Sequence, residues 1–466
     1  MAEDERLHRT WLHSDRYVPS RFVRPALRFT EIEAAGGVVL LLAAIAAVIW
    51  ANSPWSASYF SFWDIHIDIN LGAFHFSESL KHFVNDGLMA IFFFIVGMEI
   101  KRELVKGELR DPRQAALPAL AAVGGMVVPA LVYVAFTLNS GGEAVQGWGV
   151  PMATDIAFSL GVLSLLGSRI SVGAKLFLLA LAIADDIGAI AVIAIFYTDQ
   201  LSMGWLLTAI GGLVAVRVAS LVGIRSMIVY SAIGTFVWFA VLESGVHATL
   251  AGVALGLLTP AYALYSDEDY RRRVSWIVQG YERDAASPDA PDRIDQQATD
   301  LVKIARESVS PLDRIVHALH PWSSFVIVPL FALANAGVSF AGVDLGEAVT
   351  HPVSLGVALG LFAGKAFGIT GMTWLAVKLK LGKLPPRTSW RDILGLATLA
   401  GIGFTVALFI AELAFTDELI TDRAKIGIFV GSTLAGVVGY LLLRTSEEAP
   451  VASTPVTDPE LVEAQA

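Results

Sequence analysis

The sequence predicts an all-α polytopic membrane protein, and three observations carry that prediction. Hydrophobic residues make up 55% of the 466 and charged residues only 16%, well under the roughly 25% usual in soluble domains. Mean hydropathy is +0.62, and many apolar runs reach the roughly 20 residues that cross a ~30 Å hydrocarbon core as a helix. Lysine and arginine cluster between those runs in an alternating order. The chain has no cysteine, which excludes disulfides, thiolate nucleophiles and thiolate metal sites. The net charge of −10 says little, because topology follows the placement of Lys and Arg and not their sum.

About twelve transmembrane helices are expected, near residues 33–51, 82–100, 115–138, 149–166, 175–197, 203–222, 226–243, 246–264, 322–341, 353–377, 392–415 and 424–443. With the N-terminus inside, the cytoplasmic segments collect 29 of the 33 Lys and Arg residues. Lys81, Arg423 and Lys425 fall outside, and Lys365 lies mid-span. An odd number of missed spans scrambles this pattern, so both termini are expected in the cytoplasm. Residues 1–30 form a cytoplasmic segment with six arginines and no apolar core of a signal peptide. Residues 31–445 are the transmembrane domain, and 446–466, with few large apolar residues, read as a disordered tail.

Between the first two spans, WDIHIDINLGAFHF (63–76) alternates apolar and polar residues about Asn70-Leu71-Gly72, the pattern of an external β-hairpin. Residues 265–320 form a long cytoplasmic loop, in which Ile294, Leu301, Ile304 and Val309 approach helical spacing and predict a surface amphipathic helix. Two spans are interrupted. Span four carries Pro151 and several glycines ahead of Asp155, and span eleven has Gly401 and Gly403 near its centre. Spans 3–5 and 10–12 start in opposite orientations, so they fit inverted repeats with a broken helix in the middle of each. Interrupted segments at matching positions are the sequence signature of a transporter's midplane site; glycines that merely let helices pack closely are the alternative.

The run LALAIADDIGAIAVIAIF (179–196) sets Asp185 beside Asp186 in a stretch otherwise fit for lipid. A carboxylate at the centre of a membrane helix costs roughly 2.5–3.5 kcal/mol even on the mildest scale. The remaining intramembrane charges are Asp86, Asp155 and Lys365, with Glu99 and His247 nearer span ends. Adjacent helical residues point about 100° apart, so one aspartate is free to take a cation while the other meets a partner. Lys365 is the basic candidate at that depth, and a plain packing role for an Asp–Lys pair accounts for one aspartate but not two. Asp155 and Lys365 could also offset the partial charges of half-helix ends. Desolvation and a neighbouring carboxylate favour a protonated carboxyl, while Lys365 or a bound cation favours the ionised one. Protons and cations then compete for the same oxygens.

The segments NDGLMAIFFFIVGMEIKREL, ATDIAFSLGVLSLLGSR, LALAIADDIGAI, SGVHATLAG, HPWSSFVIVPLFALANAGVS, GLFAGK and GIGFTVALFIAELAF resemble the NhaA-type sodium/proton antiporters, and the resemblance covers roughly residues 30–445 in order. The resemblance implies a bacterial inner-membrane homodimer that exports Na⁺ or Li⁺ in exchange for H⁺, with two protons per cation if both aspartates cycle. It makes Asp186 the principal cation ligand, with Asp185 beside it in contact with Lys365. Thr154 and Asp155 fall at the crossing of two broken helices, and Asp86 at the cytoplasmic funnel. Glu99, Arg102, Glu103, His317 and His320 match a cytoplasmic pH-sensing region, to which His247 is added as a titratable candidate near the external end of span eight. Val316 stands where the family pattern has a glutamate, and the loop before it is longer than that pattern.

Three rival readings have requirements of their own. A symporter of an organic anion on a similar broken-helix fold uses Lys365 for the substrate carboxylate. An Asp-dependent membrane enzyme with Mg²⁺ needs further carboxylates a turn away, where Gly188, Ala189 and Ile190 supply none. A channel needs a ring-type filter that nothing in the sequence resembles. GLFAGKA (360–366) lacks the spacing of a phosphate-binding loop. No cofactor and no nucleic-acid partner are expected; the partners are monovalent cations, protons, the lipid bilayer and a second copy paired through the hairpin 63–76.

Overall fold

The computed structural model describes residues 35–446 apart from 72–73, 199–200, 225, 285–289 and 341–344. The N-terminal segment 1–30 and the tail from 447 therefore lie outside the described residues. Helix α1 (Ala35–Ala51) turns through 116° into the short α2 (Ser56–Trp63). Strands β1 (His66–Leu71) and β2 (Phe74–Ser79) then pair antiparallel, with Asp68 opposite Ser77 and Leu71 opposite Phe74. The expected hairpin exists but is shifted by about three residues. Trp63 closes α2, and the alternation that begins at His66 finds its partner only by running on through Ser79.

Helix α3 (Leu80–Val105) follows at once, then α4 (Pro112–Thr137). A 3₁₀ segment, Gly142–Met152, precedes α5 (Ile156–Ser164) and α6 (Val172–Phe196). Next come α7 (Met203–Leu221), α8 (Met227–Leu242) and α9 (Thr249–Leu258). The loop region holds α10 (Asp267–Asp284) and α11 (Ala290–Glu307). The last elements are α12 (Pro311–Asn335), α13 (Leu345–Thr350), α14 (Pro352–Lys378), α15 (Trp390–Leu399), α16 (Phe404–Ala414) and α17 (Glu418–Arg444).

Among the described residues, seven helices are long and apolar enough to cross a membrane: α3, α4, α6, α7, α12, α14 and α17. The count becomes nine if each bent pair, α1 with α2 and α15 with α16, is one span. The expected amphipathic helix is α11, which carries Ile294, Leu301 and Ile304. The helix that carries span nine begins at Pro311, eleven residues before the expected span start at 322. Ser310 accounts for this: its hydroxyl accepts the Asp313 N–H at 3.1 Å, and proline suits the first helical position.

The long helices sort into two bundles by what they pack against. Helix α3 packs on α9 and α12, α8 and α9 pack on each other and on α7, and α1 packs on α12. Helices α4, α6, α14, α15, α16 and α17, with the 3₁₀ segment and α5, form the other. Small residues set the spacing in the second. A Cβ on Gly124 would lie 2.3 Å from the Gly368 carbonyl, and one on Gly368 the same distance from Gly124's, so α4 and α14 meet backbone to backbone. The chain within α14 widens into a π-turn at Gly360–Gly364, directly before Lys365. Such turns rotate the following side chain relative to a regular helix, and the lysine ends fully buried against α4.

Candidate functional site

The two interrupted spans meet back to back. Pro151 cannot donate a backbone N–H and the chain leaves the 3₁₀ segment extended, with Asp155 at the N-cap of α5 (φ −88°, ψ 101°). The partner break lies between Leu399 and Phe404, a bend of 48°. Their backbones bond directly: Asp155 N–H donates to the Ile402 carbonyl at 2.6 Å. The Thr154 hydroxyl lies 2.8 Å from the Ala400 carbonyl, and the Ser159 hydroxyl donates to Leu399 at 3.0 Å. The orphan carbonyls at the end of α15 thus find partners inside the protein, as a polar backbone at membrane depth must.

Asp155 serves the opposite ends. Its Oδ1 accepts the Phe158 N–H at 3.1 Å, and its Oδ2 accepts the Thr405 N–H at 3.1 Å together with the Thr405 hydroxyl. One buried carboxylate therefore caps the N-termini of α5 and α16 at once, where two positive helix ends face each other. Thr405 was not singled out from sequence. A hydroxyl placed just after the Gly401–Gly403 break in an apolar run was the available signal.

Beside this crossing, Lys365 forms a salt bridge with Asp185 and donates to the Thr154 hydroxyl oxygen at 3.0 Å. Thr154 in turn approaches Asp185 Oδ2 at 2.7 Å, so its single proton is shared between Asp185 and Ala400. Lys365 is 0% and Asp185 1% exposed. Among the described residues, Lys365 reaches the broken helix ends through Thr154. Asp185 Oδ1 has no hydrogen-bond partner among the described residues. Asp186, also buried, receives no hydrogen bond from a described residue. One aspartate is thus neutralised by Lys365. The other is left with bare carboxylate oxygens beside it, an arrangement that suits a proton or a small cation and little else.

The remaining candidates divide between two ends of the molecule. Glu99, Arg102 and Glu103 lie near the end of α3, which packs on the start of α12 carrying His317 and His320. Lys106 and Asp313 bridge the two helices at 3.0 Å. Both histidines are exposed. Glu103 accepts the Glu108 N–H at 3.1 Å and so closes the turn after α3. Val316 is buried with Ile95, Met98, Ala261 and Leu312, which explains an apolar residue at that position.

Asp86 stands apart from this group. It lies more than three turns from Glu99 at the other, hairpin end of α3, within reach of His82 at 3.9 Å, and lines a small cavity with Glu78, His82 and Trp238. It therefore does not share the end of the molecule that holds Glu99, His317 and His320. The reason is direct: α3 starts at the hairpin, and Asp86 falls in its first turns, inside the π-turn Phe83–Leu88. His247 also belongs to this end, where its Nε2 meets the Tyr197 carbonyl and its ring is near Asp86.

Two broken helices crossing beside buried, partly unpaired carboxylates, in a chain of membrane-length helices, define a secondary ion transporter. Comparison with known proteins fixes which kind. The family model described as "Na+/H+ antiporter 1" matches residues 27–443. A Na(+)/H(+) antiporter NhaA from Koribacter versatilis is 47% identical over 438 residues, covering 93% of this chain and 94% of the relative. The Na(+)/H(+) antiporter NhaA 3 of Frankia alni is 46% identical, covering 94% of this chain and 92% of its own. A further relative, NhaA 2 of Syntrophotalea carbinolica, is 44% identical over 423 residues, covering 90% of this chain and 96% of its own. This chain belongs to the Na⁺/H⁺ antiporter family, whose members are membrane transporters and not enzymes.

Proposed function

We propose that this protein exports Na⁺ or Li⁺ from a bacterial cell in exchange for H⁺, with Asp186 as the exchange site. The observation that carries the reading is the asymmetry of the aspartate pair. Lys365 and Thr154 occupy Asp185, whereas Asp186 has no protein donor among the described residues. Na⁺ arriving from the cytoplasm displaces protons from Asp186, with Asp185, Thr154 and backbone carbonyls of the crossing at hand as further oxygens. Asp155 holds the two half-helices in place while one bundle rocks against the other to re-expose the site. If Asp185 also exchanges a proton as Lys365 lets go, two protons move per cation and transport is electrogenic. Lys365 paired to Asp185 is also what sets the organic-anion symporter aside, since the lysine is not free for a substrate carboxylate.

In this reading α1, α3, α4, the 3₁₀ segment with α5, α6 to α9, α12, α14, α15 with α16, and α17 make up twelve spans across the inner membrane, with both termini cytoplasmic. Spans 3–5 and 10–12 are inverted repeats, and the hairpin is external. Glu99, Arg102, Glu103, His317 and His320 then form the cytoplasmic pH-responsive face, with Asp86 and His247 on the external side. Everted vesicles carrying the protein are expected to show ΔpH dequenching on addition of Na⁺ or Li⁺. No response to either cation, with the protein present in the membrane, overturns the assignment.

The hairpin offers an edge strand, β1 or β2, on each side of its two-stranded sheet. An exposed edge pairs readily with a second copy, and we propose that it supports a homodimer. Deleting 66–79 should give monomers by light scattering in detergent with some transport retained; an unchanged dimer places the interface elsewhere.

A further inference from the structure

A cluster of charges at the hairpin end joins the two bundles and lies outside the exchange site. Glu412, two residues before the end of α16, is 13% exposed. Its Oε2 meets Lys81 Nζ at 2.7 Å and its Oε1 lies 2.8 Å from Lys425 Nζ. Lys425 belongs to α17, in the same bundle as Glu412, and has Asp422 as a second counter-charge at 3.8 Å. Lys81 belongs to the first turn of α3, in the other bundle, and is 35% exposed. The ion pairs Lys106–Asp313 and Lys425–Asp422 each stay inside one bundle, whereas Lys81–Glu412 crosses between them.

One helical turn inward from Glu412 on the same face, Phe409 meets Phe93 of α3 and Phe331 of α12 at ring-centroid distances of 5.3 and 6.2 Å. All three rings are buried. One further turn inward lies Thr405, which holds Asp155. The pair, the rings and the helix crossing are thus stacked along α16. A bundle that moves to open the hairpin end must part Lys81 from Glu412 first.

We propose that the Lys81–Glu412 ion pair is the latch that keeps the hairpin side of the exchange site shut, with Lys81 as a positioning residue for the opening step. The two arms differ in consequence. Lys425 keeps Glu412 neutralised when the latch opens, so no buried charge is stranded, and the half-exposed Lys81 contact is weak enough to break in every cycle. The inference rests on the alternating-access reading above.

The cysteine-free chain makes a clean test. Met89 is fully buried on α3, one turn from Phe93 toward the hairpin, so Met89→Cys reports on that side. In right-side-out vesicles, a membrane-impermeant thiol reagent should label Met89→Cys slowly. Adding Lys81→Gln should speed labelling by up to about fivefold, the worth of one such ion pair. Glu412→Gln should do the same, and Lys81→Arg should restore the slow rate. Apparent KM for Na⁺ at the cytoplasmic face should rise in Lys81→Gln with maximal velocity kept, because fewer molecules face inward. Equal labelling rates in the Met89→Cys parent and in its Lys81→Gln and Lys81→Arg derivatives overturn the latch. So does lost thermal stability with unchanged labelling, which marks a packing contact. The Met89→Cys parent is assayed for Na⁺/H⁺ exchange in parallel, so failure of the latch is distinguishable from failure of the antiport reading.

Discussion

Asp186→Asn is expected to abolish Na⁺-driven proton movement while leaving the protein folded and inserted. Asparagine has nearly the same shape, but it neither carries a proton through the exchange nor balances a bound cation. The structure separates these two effects unusually well. No described donor binds the Asp186 carboxylate, so removing its charge strands nothing. Asparagine is neutral and leaves no charge in this buried site, so thermal stability in detergent should be equal to the parent's or higher. ΔpH dequenching in everted vesicles at matched expression is the measurement. Near-normal antiport sinks the assignment of Asp186, and a large fall in stability means that the carboxylate has a structural partner.

The same asymmetry shows what was legible in the sequence. Asp185-Asp186 in an apolar run and Lys365 in another were visible as charges with no business in lipid, because their cost is a property of composition alone. That Asp185 and not Asp186 meets the lysine follows from helix rotation and the π-turn at Gly360–Gly364. Residue type alone does not determine either. The broken spans were readable from Pro151, Gly401 and Gly403, whereas the 3₁₀ path of Gly142–Met152 depends on tertiary packing: a Cβ at Gly147 would meet Phe415 at 2.2 Å. Thr405 escaped notice because a single hydroxyl in an apolar helix is usually satisfied by its own backbone. Glu412 escaped for a different reason. It lies near a span end, where a charge needs no explanation, and only the fold brings it to Lys81 and Lys425.

Opening the Asp185–Lys365 pair should produce the largest loss of stability in the protein. Lys365 has two polar partners, Asp185 and the Thr154 hydroxyl, and no exposure to solvent. In Asp185→Asn the ammonium keeps only Thr154 and the new amide as hydrogen-bond partners and loses its ion-pair partner, which typically costs about 3–5 kcal/mol in a buried pair. Lys365→Gln leaves the mirror-image problem on Asp185, beside an Asp186 that already lacks a partner. The double variant Asp185→Asn with Lys365→Gln removes both charges and retains hydrogen-bonding groups at each position. Its melting temperature in detergent should recover a large part of the loss, with a coupling of about 1–3 kcal/mol in the double-mutant cycle. Additive losses would show that the pair is not a unit. Transport separates the roles further. With Asp186 intact, the double variant has one exchangeable carboxyl, so any residual antiport should be one proton per cation and insensitive to an imposed membrane potential in liposomes. Voltage-dependent exchange in that variant would mean that Asp185 and Lys365 position the crossing without handling a proton themselves.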